Sequence, residues 1–159
     1  MGSSARYEVR PPLVLPLLAV AAVQVDATGN YFDLYNQRLP LLQYDEIAHL
    51  MTPALTTPIV VWLLREGLRR RGHELPPGLV TCFAVTTMFT IAGFYEVLEL
   101  WDDKYMHPEP GMRIHGPYDT ANDLQWNLLG MGIGALATYA AFKIPESARP
   151  PRAARPGRS

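Results

Sequence analysis

Four stretches that are nearly free of charge divide this chain of 159 residues, and the charged residues are bunched between them. The stretches run roughly over residues 11–25, 47–64, 79–97 and 124–142. A helix needs about 20 apolar residues to cross the ~30 Å of hydrocarbon in a bilayer, and the last three stretches reach that length with their polar ends. The first is shorter, and it spans only if it extends to Ala27 or if the bilayer thins locally. The pattern predicts an all-α fold, a bundle of four transmembrane helices.

The average composition hides this pattern, because only 18% of the residues are charged and they lie mainly in the loops and the tail. Residues 149–159 are rich in Pro and Arg and cannot bury a core. We therefore predict a disordered basic tail after a transmembrane domain over residues 1–148. Cys82 is the only cysteine, which excludes an internal disulfide and a cysteine-based metal cluster. We expect the first stretch to be a retained helix rather than a cleaved signal peptide.

The basic residues lie almost entirely on one side of this predicted topology. Eleven of the 14 Lys and Arg residues fall at the N-terminus, in the loop after the second stretch or in the tail: Arg6, Arg10, Arg65, Arg69, Arg70, Arg71, Lys143, Arg149, Arg152, Arg155 and Arg158. Basic residues near the ends of spans stay on the cytoplasmic side. We therefore predict a multi-pass protein of the cell inner (plasma) membrane with both termini cytoplasmic.

The acidic residues have the opposite distribution. Eleven of the 15 Asp and Glu residues lie on or near the predicted outer side, together with only three basic residues, Arg38, Lys104 and Arg113. The positive-inside rule does not require this excess, since acidic residues contribute little to topology. The outer cations are too few to neutralise the acids, so we expect protons or a bound metal ion to do so.

Polar residues mark the predicted outer ends of the second, third and fourth helices. On each helix they lie three or four positions apart, which places their side chains on one face. We predict that the three faces converge on one polar pocket, formed by Asp45, His49, Glu96, Glu99, Asp119, Asp123 and Asn127.

Helix capping is an alternative explanation for some of these acids. Asp45 and Asp119 lie near predicted helix N-termini, where a carboxylate caps free N–H groups and meets a favourable dipole. Asp123, in the first turn, gains from the same dipole. Glu96 and Glu99 lie near a helix C-terminus, where the dipole disfavours anions, and they repel each other. Their depth in the membrane adds a desolvation cost, which favours a functional site over a structural polar cluster.

Carboxylates, an imidazole and an amide oxygen together form a ligand set that suits Mg²⁺, Mn²⁺ or Ca²⁺, and with His49 also Zn²⁺ or Fe²⁺. We take a divalent metal ion as the candidate cofactor, with protons as the alternative. The candidate ligands are His49, Glu96, Glu99 and Asp123. No compact metal motif of fixed spacing is present, so this prediction depends on the convergence of three helices.

Two further signals concern helix packing. Gly130 and Gly134 form a small-residue pair that allows close helix contact, which we expect within the chain rather than between copies. Pro53 and Pro58 predict a kink in the second helix, where neighbouring threonines can bond the carbonyls that the prolines free.

Several short elements of the sequence resemble a known family over about residues 45–135. These elements are Asp45-x3-His49, Tyr95-Glu96-x2-Glu99, and Asp119-x3-Asp123 running into Gly130-x3-Gly134. They look like the YjdF-like family of uncharacterised bacterial inner-membrane proteins, which are more distantly similar to VanZ-like proteins. The resemblance implies a membrane fold and a shared polar site, and it implies no particular reaction.

The predicted function is a metal- or proton-dependent site that acts on a lipid-like or amphipathic small molecule at the outer leaflet, in an enzyme or a transport component. The alternative is an accessory or structural subunit of a larger membrane complex, whose acidic face docks a cationic partner surface. Close helix packing around a buried polar pocket favours the first function, and a wide uncovered apolar stripe favours the second. The lipid bilayer is a partner in both cases, and nothing in the sequence supports nucleic-acid binding.

Overall fold

A computed structural model of the chain describes residues 11–35, 37, 43–106 and 117–143. It contains the helices α1 (Val14–Tyr31), α2 (Tyr44–Arg70), α3 (Pro77–Trp101) and α4 (Asp119–Lys143), and a π-helical turn at Asp102–Met106 continues α3. No strand is present among these residues, so the all-α prediction is confirmed for them. Each of the four apolar stretches falls on one of the helices. The predicted tail over residues 149–159 and the domain boundary at residue 148 lie outside the described residues.

Two of the helical segments are long and apolar enough to cross a bilayer. They are Tyr44–Arg70 and Pro77–Met106, each with a mean hydropathy of 1.6 in its most apolar window. Only 22% and 11% of these windows is buried, whereas the core helix of a soluble protein is mostly buried. This exposure favours a lipid environment over a soluble core. In the described part of the chain α1 and α4 do not meet the same criterion, so the four-span topology stays a prediction.

The pair α2 and α4 forms the centre of the bundle. The helix α3 packs against both, while α1 packs against α2 and, within the described ranges, against neither α3 nor α4. The apolar core lies towards the C-terminal end of α2, where Val61, Val80 and Ala84 are fully buried and Phe142 of α4 packs against them. Polar side chains instead occupy the opposite end, where α2 and α4 begin and α3 ends. We call this the acidic end of the bundle.

Two glycines bring α4 into contact with the backbone of α2. Gly130 lies against the carbonyl oxygen of Leu50, and Gly134 lies against that of Ala54, where an added Cβ would be 2.6 Å from the oxygen. The carbonyl of Ala54 has no helical N–H donor, because the residue four positions later is Pro58. The expected contact within the chain is therefore confirmed. It includes a carbonyl group of α2 that has lost its helical hydrogen bond to proline.

The threonines of α2 do not bond the carbonyls that the prolines free. The hydroxyls of Thr56 and Thr57 donate to the carbonyls four residues before them, at 2.8 and 2.7 Å. The carbonyls that lose their helical donor to proline belong to His49 and Ala54. The prediction that these threonines bond the carbonyls freed by proline was therefore wrong.

Substitution of the contacting glycines tests this interface. We expect Gly130→Ala and Gly134→Ala each to destabilise the protein by about 1–3 kcal/mol, because the new methyl group meets α2 backbone that cannot move aside. Gly132→Ala is the matched control, since nothing lies within 4 Å of its added Cβ. Thermal unfolding in detergent measures the difference. Equal melting temperatures for all three variants would contradict the close contact.

Candidate functional site

His49 lies at the centre of a polar cluster at the acidic end. Its Nε2 atom is 3.4 Å from Oδ1 of Asp45, one turn earlier on α2, and 3.9 Å from Oδ1 of Asp123 on α4. One ligand atom from each of these three residues lies within 4.8 Å of the other two. We call Asp45, His49 and Asp123 the carboxylate–histidine cluster.

Asn127 forms a hydrogen bond with the other nitrogen of the imidazole ring. Its Nδ2 donates to Nδ1 of His49 at a distance of 3.0 Å. In the tautomer whose Nδ1 accepts this hydrogen bond, the ring proton lies on Nε2, which faces the two carboxylates. Asn127 lies one helical turn after Asp123, so a single face of α4 both supplies a carboxylate and orients the histidine.

Two carboxylate oxygens in this region are buried without a hydrogen bond. Asp123 and Glu96 are only 3% and 4% exposed. Oδ1 of Asp123 and Oε1 of Glu96 have no hydrogen-bond partner among the described residues. Buried polar atoms of native proteins almost always have a partner, because leaving one unsatisfied costs about 1–3 kcal/mol. These two atoms therefore mark places where a proton, an ion or a ligand group would be stabilised.

A cavity of about 780 Å³ opens beside the cluster and is lined by residues of all four helices. Five of the seven residues predicted for the polar pocket line it: Asp45, His49, Glu96, Glu99 and Asn127. The other two do not. Oδ1 of Asp123 is 3.9 Å from Nε2 of His49, and Asp119 is half-buried at the first position of α4.

The four candidate metal ligands do not form one tight group. His49 and Asp123 are brought together, and Asp45 joins them in place of the two glutamates. Glu96 and Glu99 line the same cavity from α3, outside the carboxylate–histidine cluster. The spacing of four between Asp45 and His49 was visible in the sequence, but only the helix packing shows that Asp123 completes this pair.

The cap of α2 is formed by residues other than Asp45. The helix α2 begins after Gln43, whose backbone N–H donates to the carboxylate of Glu46 at 3.0 Å. Glu46 also accepts a hydrogen bond of 2.9 Å from Asn122, which ties the first turns of α2 and α4 together. Asp45 lies in the first turn of α2, and its Oδ1 faces His49. Asp45 is therefore not the N-cap residue, although it gains from the dipole at the start of α2.

Sequence reasoning missed the contribution of α1 and the turn that follows it. Asp26, Asp33 and Tyr35 all line the cavity. The hydroxyl of Tyr35 donates to Oδ1 of Asp26 at 3.0 Å, and burial together with this carboxylate raises the pKa of Tyr35 well above its usual value. Asn30 also donates to Asp26, at 3.1 Å. Asp26 and Asn30 are four positions apart, which is the same spacing that assigned the other three helices to the polar pocket. Applied to α1, this spacing would have added Asp26 to the predicted pocket.

The hydroxyl of Tyr44 fixes α1 against the start of α2. It donates to the carbonyl of Val25 at 2.6 Å, and its ring packs edge-on against Tyr35 with 5.2 Å between the ring centres. Gly29 lies under both rings, where a side chain would collide with them. This contact places the α1 acids at the cavity.

The carboxylate–histidine cluster has the dimensions of a divalent metal site. Two ligand atoms that share an ion at 2.0–2.4 Å can be at most about 4–4.8 Å apart, which the cluster satisfies. A metal on Nε2 of His49 requires the ring proton on Nδ1, and Asn127 then presents its amide oxygen instead of its nitrogen by rotation of the amide group. Without a metal, the same residues place an imidazole N–H between two carboxylates.

A family model described as "Predicted membrane protein (DUF2238)" matches residues 3–144. No curated protein and no solved structure shows significant similarity to the chain. The match confirms the resemblance to an uncharacterised family of membrane proteins, while the more distant similarity to VanZ-like proteins stays a prediction.

Proposed function

The chain belongs to the predicted membrane protein family DUF2238, and from this premise we propose that it is a four-span protein of the inner membrane whose acidic end faces outward and holds a divalent metal ion. Asp45, His49 and Asp123 supply the ligands. The cavity beside them receives a lipid-like or amphipathic small molecule, which the protein converts or transports.

The observation that carries this proposal is the buried, unpaired oxygen of Asp123 beside an imidazole nitrogen. Oδ1 of Asp123 has no hydrogen-bond partner in the described part of the chain, and it lies 3.9 Å from Nε2 of His49. A metal ion between these atoms would satisfy the carboxylate and offset the repulsion among the surrounding acids. One imidazole cannot do so alone, since Asp45 and Asp123 both face it.

The chemistry follows from the number of protein ligands. Three ligands leave at least one coordination position of a divalent ion free, and the ligands Asp45 and His49 line the cavity, so a free position would open into it. An ion in such a position polarises a bound oxygen or lowers the pKa of a bound water. Either effect would serve hydrolysis or group transfer on a substrate that enters the cavity.

The tight packing of α2 and α4 around this polar cluster favours a site over the accessory-subunit alternative. Gly130 and Gly134 let the two backbones touch directly below Asp123 and Asn127. An acidic surface that only docks a cationic partner would not need its carboxylates buried at 3% and 4% exposure, as Asp123 and Glu96 are.

The first prediction from this proposal concerns metal content. Protein purified without chelators should contain about one divalent ion per chain, measured by mass spectrometry of bound metals. A chelator at neutral pH should lower the melting temperature, because an ion present at 100 times its dissociation constant stabilises the fold by roughly 2.7 kcal/mol. Asp123→Asn should remove both the metal and the sensitivity to chelator. Glu74→Gln, at an exposed position in the loop between α2 and α3, should change neither.

Two outcomes would contradict the metal site. One is a wild-type protein that contains no metal and melts at the same temperature with and without chelator. The other is a melting temperature that Asp123→Asn raises at neutral pH, because the neutral amide imitates a protonated acid. That result would assign neutralisation of the cluster to protons.

A second prediction concerns Asn127. If the metal binds Nε2 of His49, Nδ1 must donate its proton to Asn127. Asn127→Leu should then weaken metal binding roughly 10- to 100-fold, whereas Asn127→Asp should retain it, since a carboxylate is a common acceptor for a metal-bound histidine. Competition with a chelator of known affinity measures the effect. Equal weakening by both substitutions would mean that the histidine does not bind the ion through Nε2.

A third prediction concerns the orientation in the membrane. In a background of Cys82→Ala, an impermeant maleimide applied to intact cells should label Tyr118→Cys, next to the start of α4. It should not label His73→Cys, in the loop between α2 and α3, until the membrane is opened. Both positions are exposed in the fold, so a difference in labelling reports the side of the membrane on which each position lies. Labelling of position 73 in intact cells would overturn the proposed topology.

A further inference from the structure

The cavity changes from polar to apolar along its length. On α3, Glu96 and Glu99 line it near the acidic end, and Met88 and Ile91 line it about one to three turns earlier. Met131 continues the apolar part on α4. The distance along α3 from Met88 to Glu99 is roughly 16 Å at 1.5 Å per residue. A ligand that fits these walls carries a polar group at one end and an apolar chain at the other.

The cavity is open to the side, between α1 and α3. Both helices contribute to its wall, but within the described residues they do not pack against each other. Ile91 and Tyr95 of α3 are 59% and 52% exposed although they line the cavity, so the described part of the chain leaves its wall incomplete at this position. In a bilayer, such a gap faces lipid. An apolar chain can therefore lie in the gap while its polar end reaches the cavity.

The charge of the cavity wall determines which kind of polar head group a ligand can carry. Five carboxylates line it, from Asp26, Asp33, Asp45, Glu96 and Glu99, and no Lys or Arg does so in the described part of the chain. A divalent ion offsets only two negative charges. An anionic head group would meet the remaining acids at low dielectric, where like charges repel most strongly.

One oxygen atom of these carboxylates lacks a partner that a cationic ligand would provide. Glu96 is 4% exposed, and its Oε1 has no hydrogen-bond partner among the described residues although the side chain lines the cavity. An ammonium group donates hydrogen bonds and carries the opposite charge, which satisfies such an oxygen more strongly than a neutral donor does.

We propose that the cavity binds a single-chain cationic amphiphile, whose ammonium group contacts Glu96 and whose alkyl chain leaves through the gap between α1 and α3. This inference rests on the proposed function, because it names the class of substrate for the same pocket. It is carried by the sideways opening and the unpaired Glu96 oxygen, neither of which belongs to the carboxylate–histidine cluster.

The test compares three probes that share one chain length: dodecylamine, which is protonated at neutral pH, dodecanol and dodecanoate. The full chain is placed in lipid nanodiscs, and binding is measured by native mass spectrometry and by thermal shift. We expect dodecylamine to bind and stabilise the protein roughly tenfold or more better than dodecanol, and dodecanoate not to bind. Glu96→Gln should remove this preference for the amine, and Glu74→Gln should leave it unchanged.

A second variant tests the path of the chain and covers the case in which Glu96→Gln does not fold. Ile91→Trp fills the gap at an exposed position, so it should fold and yet weaken dodecylamine binding roughly tenfold or more through steric exclusion. Equal affinities for dodecylamine and dodecanol in the wild-type protein would overturn the inference, and so would dodecylamine binding that Ile91→Trp leaves unchanged.

Metal content measured on the same samples separates the two proposals. Loss of amine preference in Glu96→Gln with the metal retained supports the inference alone. Absence of metal in a wild-type protein that still prefers dodecylamine contradicts the metal-dependent function while supporting the cationic ligand. A metal-bound protein without preference among the probes contradicts the inference and leaves the metal site standing.

Discussion

The contact between α2 and α4 is the constraint on which the rest of the structure depends. Along α4, Asp123, Asn127, Gly130 and Gly134 follow one another at spacings of three and four, so they form a single stripe. The glycine half of this stripe touches the backbone of α2, and the polar half meets His49. The site is therefore a continuation of the packing interface. Any shift between the helices that loosens the glycine contact also moves Asp123 and Asn127 away from the imidazole.

A membrane environment explains why polar groups and small residues share this interface. Lipid is as apolar as the outer faces of the helices, so helices associate there through close packing and polar contacts rather than through the hydrophobic effect. The seam of α2 and α4 uses both. Thr57 and Met131 are almost completely buried along it, and Glu46 bonds Asn122 at its acidic end. The side of α3 that faces away, with Phe94 at 59% exposure, has the apolar character expected of a lipid-facing surface.

Much of the fold was predictable from the sequence, because hydropathy and helical spacing depend on local order alone. The apolar stretches fall on the observed helices, and the pair Asp45–His49 shares a face as its spacing requires. What could not be predicted is the rotation of each helix about its axis relative to its neighbours. That rotation decides that Asp123 rather than Glu99 joins Asp45 and His49. It also brings Asp26 of α1 to the cavity through the contact of Tyr44 with Val25, which no local pattern encodes.

Buried acids lie at both ends of α2, and their negative charge is neutralised in different ways at Glu66 and in the carboxylate–histidine cluster. Glu66, 8% exposed on the last turns of α2, accepts hydrogen bonds of 2.8–2.9 Å from Arg69 and Arg70 of its own helix. Its charge is neutralised locally, and nothing further is needed there. At the other end of α2, Asp45 faces His49, which is shared with Asp123 of another helix, and the cavity wall contains no Lys or Arg in the described residues.

This difference between the two ends of α2 has a physical consequence. An acid with its own guanidinium partners stabilises the helix without any ligand, whereas the acids around His49 gain stability when a proton, an ion or a ligand neutralises part of their charge. The acidic end is therefore the part of the molecule whose stability should respond to what binds it. A ligand that binds only the folded state stabilises it by an amount that grows with the ratio of ligand concentration to dissociation constant, which is the thermodynamic link between the packing of α2 on α4 and the function of the cavity.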